Sequence, residues 1–239
     1  MDELWGITDH YDFKDIFSDP HRNLPGKEDE DQDTMEFSRF WYHGMYTIID
    51  SEWVIPLAEW LKKILTSNVE SCVEIMSGRG WLAKALELQE VDIIATDDGS
   101  DYLHRRNELQ YPPLITEAVY SVERMAANEV ANFISKVNQE ESKRFLILIC
   151  YPPDNLVAFE FVRKLPKGTL IIYIGDEKFE LTACRNFADA ITWLDEPQHS
   201  NHPEAFLLND FPHFKTIEGI GNDGREENTV VAAIKLGII

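Results

Sequence analysis

Basic residues are scarce in this chain. Its 239 residues include 22 Lys and Arg against 43 Asp and Glu, which gives a formal net charge of -21 at neutral pH. Proteins that hold nucleic acid through its backbone neutralise phosphates with clusters of Lys and Arg, and the sequence contains no such cluster. The composition therefore argues against nucleic acid as a partner, and it disfavours anionic membrane surfaces for the same electrostatic reason.

Cysteine is also rare, and Cys72, Cys150 and Cys184 lie far apart in the sequence. An odd number of cysteines without close spacing suits neither a disulfide framework nor a zinc motif. We therefore expect reduced, buried thiols in a cytoplasmic protein and no metal site. The pair His199-x-x-His202 has no third ligand and no helical pattern beside it, so we interpret it as part of an exposed loop.

Long apolar runs are absent as well. No run approaches about 18 residues, the length expected of a membrane-spanning helix, and no basic and then apolar leader opens the chain. The sequence therefore predicts neither a membrane span nor secretion. Hydrophobic residues still make up 44% of the chain, which is enough for a large core at this length.

The chain does contain one well-defined unit, in residues 71–100. Residues 72–76 and 91–96 are short apolar runs rich in β-branched side chains, a pattern typical of buried parallel strands. Four apolar residues between them are spaced to share one face of a helix: Trp81, Leu82, Ala85 and Leu88. The pattern therefore predicts a strand, a turn, a helix and a second strand.

The turn before the predicted helix is Ser77-Gly78-Arg79-Gly80. Two glycines allow positive φ angles and let a ligand approach the backbone closely. The helix that follows offers free N–H groups and a positive dipole end to a carboxylate or phosphate. Asp97 closes the second strand 19 residues after Gly78, where a carboxylate can accept both hydroxyls of a ribose. The unit is therefore a candidate site for a nucleotide-containing cofactor.

Two classes of ligand fit this unit. Gly78-x-Gly80-x-x-Ala83 matches the pattern of proteins that bind NAD or FAD. S-adenosylmethionine is the alternative, and Glu74 favours it. The string Glu74-Ile-Met-Ser-Gly-Arg-Gly resembles the motif of the class I S-adenosylmethionine-dependent methyltransferase-like superfamily, Rossmann-like proteins with an acidic residue in the first strand and a loose Gly-x-Gly after it. A glycine turn that serves only the fold is the third interpretation.

The patterns of the remaining strands and helices extend this resemblance over residues 53–239. Apolar runs predict strands at 118–125, 144–150, 169–174, 211–220 and 229–236. Helical patterns occur at 128–137, 155–163 and 182–193. A lead-in helix precedes the first strand, and we expect it to begin near Ile55 or Pro56 because proline is tolerated in a first helical turn.

The last two predicted strands are too close in sequence for a crossover helix, which predicts an antiparallel hairpin. The resemblance therefore implies an α/β fold with a mostly parallel seven-stranded Rossmann-like sheet, helices on both faces and a C-terminal antiparallel hairpin. An NAD-binding fold would instead continue with parallel strands and helices. We expect the acidic and aromatic residues 1–52 to cap the site of this domain, with Tyr42, His43, Tyr46 and Trp53 as candidate pocket residues.

The fourth predicted strand ends in Tyr151-Pro152-Pro153-Asp154. Class I enzymes that methylate exocyclic amines carry Asp, Asn or Ser, then Pro-Pro, then Tyr or Phe at this place. Their polar first residue and the proline carbonyl accept hydrogen bonds from the amine. Here Tyr151 replaces the polar residue and Asp154 replaces the aromatic one, so the resemblance does not extend to a nucleobase amine as the acceptor. Asp154 is a candidate general base, and Tyr151 a candidate to pack on the methionine part of the cofactor.

We therefore predict methyl transfer from S-adenosylmethionine to a small-molecule or protein acceptor. The alternatives are a methyltransferase fold kept as a non-catalytic binding module and an NAD(P)-binding oxidoreductase. By this resemblance, Glu74 would bind the cofactor's amino group or order the loop. Asp97 would hold the ribose, and Met125 and Ala126 would line the adenine pocket. The predicted cofactor-binding residues are Glu74, Ser77, Gly78, Gly80, Asp97, Met125, Ala126 and Cys150, and the predicted catalytic residues are Asp154 and Tyr151.

Overall fold

The computed structural model describes residues 44–67, 69–100, 118–179, 181–212, 217–219 and 230–239. The helices are α1 (Ser51–Ser67), α2 (Trp81–Leu88), α3 (Ala127–Glu141), α4 (Val157–Val162) and α5 (Arg185–Asp189). The strands are β1 (Ser71–Ile75), β2 (Ile93–Asp97), β3 (Val122–Arg124), β4 (Phe145–Cys150), β5 (Leu170–Asp176), β6 (Thr192–Trp193), β7 (Ile217–Gly219) and β8 (Val230–Ile238). Two short 3-10 helices, Pro197–His199 and Ala205–Leu208, lie between β6 and β7.

The strands form one sheet in the order β3-β2-β1-β4-β5-β8-β6, with β7 also paired to β8. Neighbouring strands from β3 to β5 are parallel, whereas β8 is antiparallel to β5. The short strands β6 and β7 pair with opposite ends of the same edge of β8, so the described sheet is seven positions wide. This mostly parallel sheet with an antiparallel C-terminal pair confirms the predicted fold class. The NAD-binding alternative required a further parallel strand where β8 lies.

Hydrophobic layers cover both faces of the sheet. On one face, α1, α2 and residues 44–49 pack over strand residues such as Cys72 and Leu148. On the other, α3, α4 and α5 pack over residues such as Val73 and Ile147. The side chains of β4 are buried on both faces because this strand lies in the middle of the sheet. Glu74 points to the same face as Cys72, since side chains alternate along a strand.

Helix α1 begins earlier than the sequence predicted. It starts at Ser51 rather than near Ile55 or Pro56, so Pro56 lies inside the helix. Asp50 provides the reason, because its Oδ1 atom accepts a hydrogen bond from Glu52 N–H at 2.7 Å. This side-chain cap satisfies one of the free donors of the first turn. Pro56 costs a single backbone hydrogen bond near the start of the helix.

Three other predicted elements are shorter in the structure. The strand predicted at 118–125 is confined to β3, and the helix predicted at 155–163 is confined to α4. The prediction of one helix over 182–193 was wrong, because α5 ends at Asp189 and Thr192–Trp193 forms β6. Trp193 pairs with Gly237 of β8, and its indole N–H donates to the Ala188 carbonyl at 3.0 Å. Sheet pairing therefore outweighs the helical pattern at this point.

No described helix is both long enough and apolar enough to span a membrane.

Candidate functional site

A cleft opens at the carboxyl ends of β1 and β4, two strands that lie side by side. Its walls are the end of β1 with the glycine turn, the first turn of α2, the end of β4, and residues 44–49 from the segment before α1. Open α/β sheets bind ligands at the carboxyl ends of their strands, near the point where the strand order reverses. Here the order reverses between β1 and β4, so the cleft lies where a ligand is expected.

Residues 44–49 are a described part of the segment predicted to cap the site. Tyr46 lines the cleft as expected, whereas Trp53 is buried in the core and donates its indole N–H to the Ile48 carbonyl at 3.0 Å. Tyr42 and His43 lie outside the described residues. The capping role of residues 1–52 as a whole stays a prediction.

The backbone turns sharply after both strands that end at the cleft. Met76 follows β1 with φ 53°, and Tyr151 follows β4 with φ 51°. A positive φ is uncommon and costly for residues other than glycine, and such residues concentrate at functional sites. Both side chains line the cleft. The sequence reasoning missed Met76, for which the signal was its position between the strand and the glycine turn.

Glu74 places a carboxyl group in the core beneath the cleft. Its side chain is 2% exposed, and its Oε2 atom has no hydrogen-bond partner among the described residues. The pKa of Glu74 is raised to about 8, chiefly by burial and also by the negative charge of Asp97, although a hydrogen bond from the Ala83 backbone N–H acts to lower it. A cationic group that enters the cleft would therefore find a buried carboxyl oxygen available.

The two glycines of the turn serve different purposes. Among the described residues, the one atom that a Cβ at Gly78 would meet within 4 Å is the Gly44 carbonyl oxygen, at 4.0 Å, so the described part of the chain leaves space above Gly78. At Gly80, an added Cβ would lie 2.7 Å from Tyr120 Cβ and 3.0 Å from Val122 Cγ2. Both glycines have positive φ, 57° and 78°. Gly78 therefore leaves room for a ligand, whereas Gly80 is required by packing against the chain that leads into β3.

Asp97 holds the glycine turn in place. Its Oδ2 atom accepts a hydrogen bond from Gly78 N–H at 2.9 Å, and its Oδ1 atom accepts one from Gly99 N–H at 2.6 Å. Ser77 adds to this connection, because its backbone N–H and its hydroxyl both donate to the Thr96 carbonyl, at 3.1 and 3.2 Å. Asp97 therefore joins the glycine turn to the loop that follows β2.

Met125 and Ala126 follow β3 and lie beside the end of β2. Met125 N–H donates to the Asp97 carbonyl at 3.0 Å, and Ala126 N–H donates to the Glu129 carboxylate at 2.9 Å at the start of α3. Neither residue lines the described cleft. The structure therefore places both next to Asp97, along the carboxyl edge of the sheet.

At the end of β4, Cys150 and Tyr151 line the cleft. The Tyr151 hydroxyl is buried and has no hydrogen-bond partner among the described residues. Burial raises the pKa of both groups, and the negative charge of Glu74 also raises that of Cys150, while the charges of Cys150 and Asp176 also raise that of Tyr151. The thiol and the hydroxyl are therefore protonated at neutral pH and act as neutral groups.

The rest of the Tyr-Pro-Pro-Asp stretch turns away from the cleft. The Pro152 carbonyl accepts a hydrogen bond from Ala183 N–H at 3.2 Å, so it is already engaged within the protein. Asp154 is exposed and is not a lining residue. Just before α4, Asn155 Oδ1 accepts a hydrogen bond from Val157 N–H at 2.9 Å. The catalytic role of Asp154 stays a prediction.

The two histidines of the His199-x-x-His202 pair make local contacts with the backbone. His199 Nδ1 lies 2.8 Å from the Trp193 carbonyl oxygen, and His202 Nδ1 accepts a hydrogen bond from Glu204 N–H at 3.1 Å. Within the described ranges of the chain, no group of three or more His, Cys, Asp or Glu side chains is arranged to hold a metal ion.

No protein-family profile and no curated protein sequence matches the chain. Solved structures with a similar arrangement include a SAM-dependent methyltransferase from Archaeoglobus fulgidus, which is 14% identical over 80% of this chain and 95% of its own, with a TM-score of 0.36. A putative S-adenosylmethionine-dependent methyltransferase from Listeria monocytogenes is 14% identical over 76% of this chain and 98% of its own, with a TM-score of 0.29.

A third similar structure is the plantazolicin methyltransferase BamL in complex with a triazolic desmethylPZN analogue and SAH. It is 10% identical over 77% of this chain and 82% of its own, with a TM-score of 0.35. At such identities and TM-scores, similarity alone assigns neither a ligand nor an activity. The function must therefore be argued from the cleft.

Proposed function

We propose that this protein transfers the methyl group of S-adenosylmethionine to a small-molecule or protein acceptor. The observation that carries the proposal is at the end of β1, where the unpartnered Oε2 atom of buried Glu74 lies beside a glycine turn with open space above Gly78. A buried polar atom without a partner costs free energy. A ligand with an ammonium group would offset that cost, and a charge-assisted hydrogen bond is among the strongest available.

The residues along the carboxyl edge of the sheet fit this cofactor from one end to the other. Glu74 would bind its ammonium group, and Gly78 would let the backbone approach it. Asp97 would accept hydrogen bonds from the ribose hydroxyls. Met125 and Ala126, which follow β3 beside Asp97, would line the adenine. Gly80 and Ser77 would contribute by fixing the shape of the turn.

The reacting end of the site would lie at the end of β4, where Cys150 and Tyr151 line the cleft. When bound, S-adenosylmethionine supplies an electrophilic methyl group on a sulfonium sulfur. The chain's own residues would align an acceptor for in-line attack and exclude water from it. Asp154 remains the candidate proton acceptor for a substrate that reaches the exposed rim beyond Pro153.

The hydrogen bonds at the end of β4 argue against a nucleobase amine as the acceptor. An exocyclic amine needs acceptor groups, but Tyr151 replaces the usual polar side chain and the Pro152 carbonyl already accepts Ala183 N–H. The net charge of -21 disfavours a nucleic-acid substrate independently. A small molecule or a protein side chain is therefore the better candidate acceptor.

A non-catalytic binding module is the second candidate. The exposure of Asp154 and the engagement of the Pro152 carbonyl both favour it, because they leave the end of β4 without an evident base in the described cleft. Such a module would bind the same cofactor without turnover. The NAD(P)-binding oxidoreductase is less well supported, because β8 runs antiparallel to β5.

Titration calorimetry and thermal shift with the full chain would test the proposal. We expect S-adenosylmethionine and S-adenosylhomocysteine to bind and to raise the melting temperature, because a ligand that binds only the folded state stabilises it. NAD should do neither. Binding of NAD without binding of S-adenosylmethionine would overturn the proposal.

A labelled-methyl assay would then separate the enzyme from the binding module. The protein and S-adenosylmethionine carrying a labelled methyl group would be incubated with metabolite fractions and protein extracts. Appearance of a labelled product supports the enzyme. Tight binding of the cofactor with no labelled product from any fraction supports the binding module.

A further inference from the structure

Two side chains that line the cleft carry a buried atom without a hydrogen-bond partner among the described residues. These atoms are Glu74 Oε2 and the Tyr151 hydroxyl oxygen. They come from adjacent parallel strands, since β1 and β4 pair with Ile75 opposite Ile149. The carboxyl group offers an acceptor and the hydroxyl offers a donor. Together they complement a ligand end that carries one cationic donor and one anionic acceptor.

Three backbone N–H groups of the glycine turn and the first turn of α2 are already engaged within this protein. Gly78 N–H donates to Asp97 Oδ2 at 2.9 Å, and Gly80 N–H donates to the Ser77 carbonyl at 2.9 Å. The Ala83 N–H at the start of α2 is directed at Glu74. The described lining of the cleft contains no Lys, Arg or His. The described lining therefore offers a carboxylate only neutral side-chain donors, and the Tyr151 hydroxyl is one of them.

The backbone fixes the position of Tyr151. Its φ angle of 51° is held by a hydrogen bond from its N–H to the Ile174 carbonyl at 2.7 Å, and Pro152 follows it directly. A side chain on a rigid, strained turn is suited to a binding role, because little motion must be frozen when the ligand binds. Burial raises the pKa of the hydroxyl, so it keeps its proton and donates.

Building on the proposed function, we propose that the Tyr151 hydroxyl donates a hydrogen bond to the carboxylate of the methionine part of S-adenosylmethionine, while Glu74 binds the ammonium group. Tyr151 is then a cofactor-binding residue that recognises the amino-acid end of the ligand. If this assignment is correct, a change at Tyr151 alters the affinity for ligands that carry the carboxylate and leaves the affinity for the adenosine part unchanged.

Three ligands and two variants test the assignment by titration calorimetry. S-adenosylmethionine carries both the ammonium group and the carboxylate. Decarboxylated S-adenosylmethionine keeps the ammonium group but lacks the carboxylate, and 5'-methylthioadenosine lacks both. We expect Tyr151→Phe to weaken the binding of S-adenosylmethionine about tenfold or more, because the change removes a hydrogen bond to a charged group. The same variant should change the affinity for the other two ligands by less than about twofold.

Glu74→Gln is the matched comparison, because it should lower the affinity for both amine-bearing ligands and leave the affinity for 5'-methylthioadenosine unchanged. Circular dichroism and thermal melting would show that each variant is folded, and Tyr151→Phe keeps the buried ring. If Tyr151→Phe binds S-adenosylmethionine as the wild type does, or weakens all three ligands equally, the assignment is overturned and the proposed function stands. If the wild type binds none of the three ligands, the proposed function fails and the assignment fails with it.

Discussion

Replacing Glu74 with glutamine should stabilise the ligand-free protein at neutral pH. The pKa of Glu74 rises from 4.5 to about 8 in the folded state, so the folded protein binds more protons than the unfolded chain between these values. Stability therefore falls as pH rises through this window, by about 1.4 kcal/mol per pH unit for one group. Between about pH 5.5 and 7.5, the free energy of unfolding of the wild type should fall by about 2–3 kcal/mol more than that of Glu74→Gln, because glutamine cannot ionise.

Chemical denaturation followed by tryptophan fluorescence would measure this difference. Both proteins would be unfolded at several pH values in the absence of ligand, and the midpoints converted to free energies of unfolding. Subtracting one series from the other removes the contribution of the other carboxylates, which titrate in both. Glu59→Gln is the control for the loss of one carboxylate at the surface, since Glu59 is exposed on α1.

The result that would refute the reasoning is a constant difference between the wild type and Glu74→Gln across the whole pH range. That outcome would mean that the carboxyl group finds a partner or water when it ionises. If the proposed function is correct, saturating S-adenosylmethionine should also remove most of the pH-dependent loss in the wild type, because its ammonium group pairs with the ionised carboxylate.

Three further predictions concern the neighbouring residues. Gly80→Ala should destabilise the fold by about 2–4 kcal/mol in denaturation experiments, since it adds a clash to the cost of positive φ, whereas Gly78→Ala should cost about 1 kcal/mol; equal losses would contradict the separate roles of the glycines. Asp97→Ala should weaken S-adenosylmethionine about ten- to hundredfold in calorimetry, whereas Asp98→Ala should not. Asp154→Asn should slow turnover about 10²–10⁴-fold if this residue is the general base; unchanged turnover in a labelled-methyl assay would remove it from the chemistry.

The sequence allowed the centre of the fold to be predicted because its signals there are local. The strand, turn, helix and strand of residues 71–100 follow from apolar periodicity and two glycines. Gly78 and Asp97, which the sequence assigned to one cofactor site, share a hydrogen bond of 2.9 Å. The strand at 144–150 was equally clear, since a run of large apolar residues this short suits a strand buried on both faces.

The sequence did not reveal the features that depend on long-range pairing. The two residues of β6 form a strand because β8 offers them an edge, and the local pattern there suggested a helix. The partner of the Pro152 carbonyl is Ala183, 31 residues later, and no local rule predicts that contact. The sequence also does not distinguish the role of Gly78 from that of Gly80. Only the packing of Tyr120 against Gly80 shows that one of them serves the fold.

The ends of β1 and β4 differ in their hydrogen bonding, and this difference bears on the choice between an enzyme and a binding module. At the end of β1, Asp97 and Ser77 hold the turn with hydrogen bonds, and the buried Glu74 Oε2 atom has no hydrogen-bond partner in the described part of the chain. At the end of β4, the Pro152 carbonyl is engaged by Ala183 and Asp154 faces solvent. An amine acceptor would share that carbonyl with Ala183 N–H and would find Tyr151 in place of a second polar acceptor.

A methyl acceptor that donates no hydrogen bond to the Pro152 carbonyl does not depend on these groups. The neutral groups at that end, the Tyr151 hydroxyl and the Cys150 thiol, do not act as bases at neutral pH, because burial raises both pKa values. An acceptor that is already deprotonated, such as a carboxylate or a thiolate, would need no base in the cleft. Screening for turnover is therefore best begun with such acceptors, whereas the cofactor-binding half of the proposal can be tested without any acceptor.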